Sequence, residues 1–282
     1  MTTLAASAAV SAQKIADPIH IWVGNPDAAS VTAWVQAHLN DPQVRVLYVG
    51  DAATYNMGHI PGARLLEHMD TVQMGPTGHR MAPPETLVKA FSKAGVSDGA
   101  RVVLYGDTPM EIGWVSSALA AIGHTDVSWL DGGMVAWEKE KRPTDTTAPA
   151  AGTGPLTLHP AANLLVDAAW VRAHLDAPAT KILDVRTQGE WNGGHIPNAT
   201  LILWQDLYAD VRAQKLKAPD EIKALLAKAG VAPGQDVVTY CAVGMRASLM
   251  AWAAQAVGVP VKIYIGSWQD WRSDSNNPIV KP

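Results

Sequence analysis

The chain has 282 residues, 48% of them hydrophobic, enough for one large core or two of ordinary size. It carries 22 basic and 26 acidic residues, a formal charge of −4, with no like-charged tract of five or more; this argues against a nucleic-acid surface or a polybasic membrane patch. No apolar run approaches a membrane span, and a single cysteine excludes an internal disulfide and a cysteine-rich metal site.

The N-terminal "MTTLAASAAVSAQK" is Ala-rich and has a "VSA" reminiscent of a leader cleavage region, but lacks a basic start and a convincing apolar centre. A floppy tail is expected over residues 1–17, with a truncated leader at residues 1–12 as the alternative. The expected protein is soluble, cytoplasmic or periplasmic.

Strand-like "RVLYV" (45–49) precedes a helical "PETLVKAFSKAG" (84–95), whose apolar residues recur at spacings of three and four and which ends at Gly95. A second β-branched run, "RVVLY" (101–105), follows. Then comes "RPTDTTAPAAGTGPLTLHPAA", with neither a 3.6 nor a 2.0 period, which reads as a linker. Beyond it the order returns: "KILDV" (181–185), helical "PDEIKALLAKAG" (219–230), "DVVTY" (236–240) and helical "RASLMAWAAQAVG" (246–258).

The return is a duplication. "VTAWVQAHLNDPQVRVLYV" (31–49) matches "DAAWVRAHLDAPATKILDV" (167–185), and "MGHIPGA" (57–63) matches "GGHIPNA" (193–199) at the same offset. "KAGVSDGARVVLYG" (93–106) likewise matches "KAGVAPGQDVVTYC" (228–241). Domains are expected at 18–142 and 163–282, with 143–162 between them. Alternating strands and helices in each predict an α/β fold, a parallel sheet covered by helices on both faces.

Cys241 lies directly after "DVVTY", where ligands of open α/β sheets collect, at the carboxyl ends of strands. The turn from Cys241 to Arg246, through Ala242, Val243, Gly244 and Met245, is expected to point backbone N–H groups inward at a helix N-terminus and form an anion nest. Such a setting favours the thiolate, the nucleophilic form of cysteine. A lone cysteine is more often inert core, but this turn, its glycine and its arginine favour a reactive thiol.

The motifs together resemble the tandem-domain rhodanese family, the thiosulfate and 3-mercaptopyruvate sulfurtransferases. "CAVGMR" is similar to the family's six-residue active loop, "DVRTQGEWNGGHIPNA" (184–199) to its Asp-Val-Arg plus Gly-His-Ile-Pro signature, and "LDGGMVAW" and "GSWQDW" to its domain-end signatures. The resemblance implies that Cys241 takes a sulfane sulfur from a small anionic donor, becomes a persulfide, and passes the sulfur to cyanide, a thiol or a protein acceptor. It implies no metal and no organic cofactor. Arg186 and Arg246 are expected to bind the donor beside the loop residues, with Asp184 as structural support for Arg186. Glu190 is expected to be a solvated or salt-bridging side chain, and His195 to serve the fold.

Departures from the family bear on the donor. Val243 stands where the thiosulfate enzymes commonly carry a lysine, and the Gly-Ser-Gly-Val-Thr of the mercaptopyruvate enzymes is absent. Two arginines and a crowded loop favour thiosulfate. The alternatives are 3-mercaptopyruvate and a persulfide carrier with little turnover of small donors. A phosphatase of the same fold would need Cys-x5-Arg, whereas this loop is Cys-x4-Arg. The N-terminal copy is expected to lack chemistry, because Gly106 stands for the cysteine, Glu111 for Arg246, and Tyr48 and Gly50 for Asp184 and Arg186.

Overall fold

The computed structural model describes residues 28–281 apart from 131, 151, 153, 160–163 and 212–214. The tail and leader expectations for residues 1–17 lie outside the described residues.

The first copy runs α1 (Ala28–Ala37), β1 (Val44–Val49), α2 (Ala52–Met57), β2 (Arg64–Leu66), β3 (Val72–Gly75), β4 (Gly78–Met81), α3 (Pro84–Lys93), β5 (Arg101–Gly106), α4 (Pro109–Ala121), β6 (Val127–Trp129) and α5 (Gly133–Lys139). The second runs β7 (Leu165–Val166), α6 (Ala168–Ala173), β8 (Thr180–Asp184), α7 (Gln188–Asn192), β9 (Ala199–Leu201), β10 (Tyr208–Asp210), β11 (Lys215–Leu216), α8 (Pro219–Lys228), β12 (Asp236–Tyr240), α9 (Met245–Ala256), β13 (Val261–Tyr264) and α10 (Ser267–Trp271).

Each copy builds a parallel sheet, ordered β2-β1-β5-β6 in the first and β7-β13-β12-β8-β9 in the second. The near-continuous apolar runs of β1, β5 and β12 are explained by burial on both faces of their sheets. In the second sheet the chain passes from β8 to β9 on one side and later to β12 on the other. The crevice between β8 and β12 is therefore the topological switch point, and Asp184 and Cys241 sit at its carboxyl edge.

The copies are joined through their helices. Helices α4 and α9 are apolar around most of their circumference, a pattern that requires burial on all sides. They cross so closely that a Cβ at Gly113 would fall 2.8 Å from the Leu249 nitrogen, so only glycine fits there. Trp252 Nε1 donates to Ser117 Oγ at 2.9 Å across the same contact. One apolar cluster runs through both copies, while each sheet keeps a smaller cluster on its other face.

The segment between the copies is held along the first. Arg64 Nη2 donates to Ala150 O at 2.8 Å, Ser92 Oγ to Gly154 O at 2.8 Å, and the Thr157 N–H and hydroxyl to Asp98 at 2.6 and 2.7 Å. Its irregular backbone is satisfied by the first copy rather than by its own periodicity.

Candidate functional site

Strand β12 ends at Tyr240, and three residues, Ala242 to Gly244, carry the chain from Cys241 to α9. Gly244 takes a left-handed φ of 98°, which turns the loop back so that its N–H donates to Cys241 Sγ at 3.1 Å. The loop is braced from the domain end: Trp268 N–H donates to Cys241 O at 2.9 Å and Gln269 N–H to Ala242 O at 3.1 Å. Cys241 N–H donates to Ser267 Oγ at 3.0 Å, and the Ser267 hydroxyl donates onward to Tyr264 O at 2.9 Å.

The first copy supplies the other wall. Its hairpin of β3 and β4 lies over the loop, with Gly78 so close that a Cβ there would fall 2.5 Å from Gln269 Oε1 and 3.5 Å from Val243 Cγ1. From α4, Trp114 reaches the opposite side, where a Cβ at Gly244 would lie 2.9 Å from its ring. Trp114 is itself fixed by a bond from Nε1 to Thr71 Oγ1 at 3.0 Å. Cys241 is thereby wholly buried between the copies.

Arg246, the second residue of α9, extends a fork to Glu190: Nη1 to Oε2 and Nη2 to Oε1, both at 2.8 Å. Glu190 is held from its own helix. The Thr187 N–H and hydroxyl donate to Oε2 at 3.0 and 2.8 Å, and Thr187 Oγ1 accepts from Glu190 N–H, a capping box at the start of α7. The bonds from Arg246 hold the Glu190 carboxyl well below its ordinary range, at about 2, against the opposing effect of burial. Burial lowers the Arg246 guanidinium's pKa, but its bonds to Glu190 and its closeness to the Cys241 sulfur outweigh this and raise it.

Arg186 is placed differently from the expectation that it binds the donor. Its side chain is 1% exposed, with Nε donating to both Asp184 oxygens at 2.9 and 3.0 Å, and Nη2 to Asp184 Oδ2 at 2.6 Å and Gly194 O at 2.7 Å. The Trp268 ring lies over it, 4.5 Å from the guanidinium carbon to the ring centroid. Tyr240 donates to the same Asp184 at 2.5 Å. These groups form a buried ion pair beneath the loop, which ties β8, β12 and the "GGHIP" turn together. Of the two arginines expected at the donor, Arg246 is the one beside the thiol.

His195 stacks on Trp191 at 3.4 Å between ring centroids and bridges to Val280 through the main chain; His59 stacks likewise on Tyr55 and bridges to Asp145. The "GHIP" histidines thus occupy the same structural place in a copy with a thiol and in one without.

Sequence reasoning passed over Glu190 as a site residue, although "TQGE" is a visible capping box. Its partner lies on another helix, which pattern alone does not reveal. Ser267 and the covering residues Gly78 and Trp114 gave no signal, since each acts through a contact far along the chain.

The Rhodanese-like domain profile matches residues 31–140 and 167–274. A thiosulfate sulfurtransferase of Azotobacter vinelandii is 32% identical over 260 residues, covering 87% of this chain and 94% of that protein. The sulfur carrier protein TtuD of Thermus thermophilus is 30% identical over 289 residues, covering 91% and 98%. A 3-mercaptopyruvate sulfurtransferase of Escherichia coli is 25% identical over 275 residues, covering 87% and 95%. Among solved structures, SseA of Escherichia coli aligns over 84% of this chain and 97% of its own, with a TM-score of 0.75 and 24% identity. EanB in complex with ergothioneine aligns over 93% and 70%, with a TM-score of 0.81 and 21% identity.

Proposed function

This chain belongs to the rhodanese-like family, with two of its domains in tandem, and from that premise we propose that it is a sulfurtransferase working through a persulfide on Cys241. The observation that carries the reading is the Cys241 loop itself: a thiol at the end of a central strand, its sulfur accepting a loop amide at 3.1 Å, with Arg246 beside it. An amide donor and a guanidinium both favour sulfur as an anion, before and after it takes up a second sulfur.

The Cys241 thiolate attacks the outer sulfur of thiosulfate. A bond forms from Sγ to that sulfur as the donor's own S–S bond breaks, and its electron pair leaves with sulfite. The persulfide is then attacked at its outer sulfur by cyanide or a thiolate, which departs as thiocyanate or a new persulfide and returns the Cys241 thiolate. Arg246 binds the oxygens of the donor and offsets the charge that develops on the leaving sulfite.

Thiosulfate is the preferred donor. Arg186 is buried against Asp184 and offers the donor no second cation, so the preference rests on space. Val243 is backed by the hairpin at Gly78, and Gly244 by Trp114, so the loop has little room to widen for the longer carbon chain of 3-mercaptopyruvate. Side-by-side kinetics with cyanide as acceptor test this: a higher kcat/KM for thiosulfate is expected, and a higher value for 3-mercaptopyruvate would overturn it. Uptake of sulfur without turnover to either small acceptor would favour the carrier reading, with a protein thiol as the recipient.

A further inference from the structure

Arg246 lies beside the thiol, yet in the resting protein both of its terminal nitrogens are engaged by one carboxylate. The buried member of that pair is the cation: Arg246 is 16% exposed and Glu190 33%. A glutamate at the third position of a capping box needs only one oxygen for the cap. Here Oε2 serves the cap and the fork together, while Oε1 serves the fork alone. The pair therefore fixes Arg246 to a rigid point on α7, and it also places a permanent negative charge where an anionic donor must approach.

The first copy supplies an independent comparison. The offset that aligns His59 with His195 puts Thr54 at Glu190 and Asp51 at Thr187. In that copy the carboxylate and the hydroxyl change places: Asp51 takes the Thr54 N–H at 2.9 Å and the Thr54 hydroxyl at 2.7 Å. The helix is capped without a carboxylate at this third position. The carboxylate there is absent from the copy that also lacks the cysteine and the arginine, so capping alone does not account for it.

We infer that Glu190 is the positioning residue of the site: its carboxylate, fixed by the Thr187 cap, aims Arg246 at the Cys241 sulfur and offsets part of the charge that an anionic donor meets. The inference rests on the sulfurtransferase reading. It implies a trade between orientation and attraction. Removing the charge while keeping the shape should strengthen donor binding and slow the transfer step, because the guanidinium is then freer and less neutralised.

The test compares Glu190→Gln and Glu190→Asp with the wild type in steady-state kinetics, using thiosulfate as donor and cyanide as acceptor. For Glu190→Gln, KM for thiosulfate should fall by about threefold to tenfold and kcat by about tenfold. Glu190→Asp keeps the charge but retracts it by one methylene, so it should restore the wild-type KM while leaving kcat low. A purely structural glutamate would alter thermal stability alone, and a wild-type KM in Glu190→Gln would overturn the inference. If the wild type takes up no sulfur from thiosulfate, the sulfurtransferase reading fails; if it does, an unchanged KM in Glu190→Gln overturns the role of Glu190 alone.

Discussion

The two copies share their central strands, the tyrosine that anchors the "HIP" turn and the histidine stacked beside it, yet they part at the carboxyl end of the central strand. Tyr105 and Tyr240 make the same bond, each accepting from the isoleucine N–H of that turn, Ile60 or Ile196. One residue later the second copy has Cys241 and the first has Gly106. A Cβ at Gly106 would lie 1.8 Å from Val49 O, so the first copy has closed the space that a side chain would need. Two residues separate Gly106 from α4, whereas three separate Cys241 from α9. The shorter turn starts α4 with a Thr108 cap and leaves no loop to curl around a ligand.

The charges diverge too. Beneath the Cys241 loop, Asp184 is neutralised by Arg186; at the matching place Tyr48 donates a hydrogen bond to Asp107. Glu111 lies one helical position deeper than Arg246 and contacts His68 at 3.3 Å, and burial, with Asp107 and Asp51 nearby, raises its carboxyl above the ordinary range. The first copy's contribution is to wall the second with Gly78 and Trp114. A duplicated fold can thus keep its frame in both halves while one half becomes the cover of the other's site.

The comparison breaks most completely at the nucleophile. Cys241→Ser should abolish sulfur uptake by the whole chain; sulfur-labelled protein surviving the substitution would reveal a second acceptor in the first copy. Gly106→Cys should fail to create one. Steric conflict with Val49 O should instead cost about 3 kcal/mol of stability, read by denaturant unfolding, and a stable variant that gained a second sulfur would contradict the closed-loop account.

Arg246→Ala sharpens the electrostatic contrast. Loss of a charge-assisted contact worth about 1.5–3 kcal/mol should lower kcat/KM for thiosulfate by roughly tenfold to a hundredfold in a folded protein. Unchanged kinetics would reduce Arg246 to a helix-surface charge.

The smallest expected effect is in acid. Glu190 titrates at about 2 in the folded chain against an ordinary value of 4.5, so its contribution to stability is fully present above pH 4.5 and is lost as the pH falls towards about 2. Partial exposure keeps this contribution modest. Glu190→Gln should therefore be slightly less stable than the wild type above pH 4.5, with the difference vanishing at the acid end. Parallel stability curves over that window would show that the pair contributes nothing.

Much of this was legible in residue order. The repeat, the β-branched runs and the glycine stops placed "RVLYV", "RVVLY" and "DVVTY" in strands and the 84–95 and 219–230 segments in helices, and the structure has β1, β5, β12, α3 and α8 there. The position of Cys241 followed from the same pattern. The role of Arg186 did not: an arginine two residues after Asp184 can point to a pocket or fold back on its neighbour, and only the packing of Trp268 and Gly194 selects the second. Glu190 was hidden for the opposite reason, since its capping partner is local and its functional partner lies 56 residues away. The hairpin over Val243 was invisible because it joins segments from different copies.

The measurement closest to the central claim is the intact mass of the wild type and of Cys241→Ser after exposure to thiosulfate, with each adduct then challenged with cyanide. The wild type should gain one sulfur atom and lose it to cyanide, and Cys241→Ser should gain none. A wild type that gains no sulfur, or a serine variant that gains as much, would contradict the assignment of persulfide chemistry to Cys241.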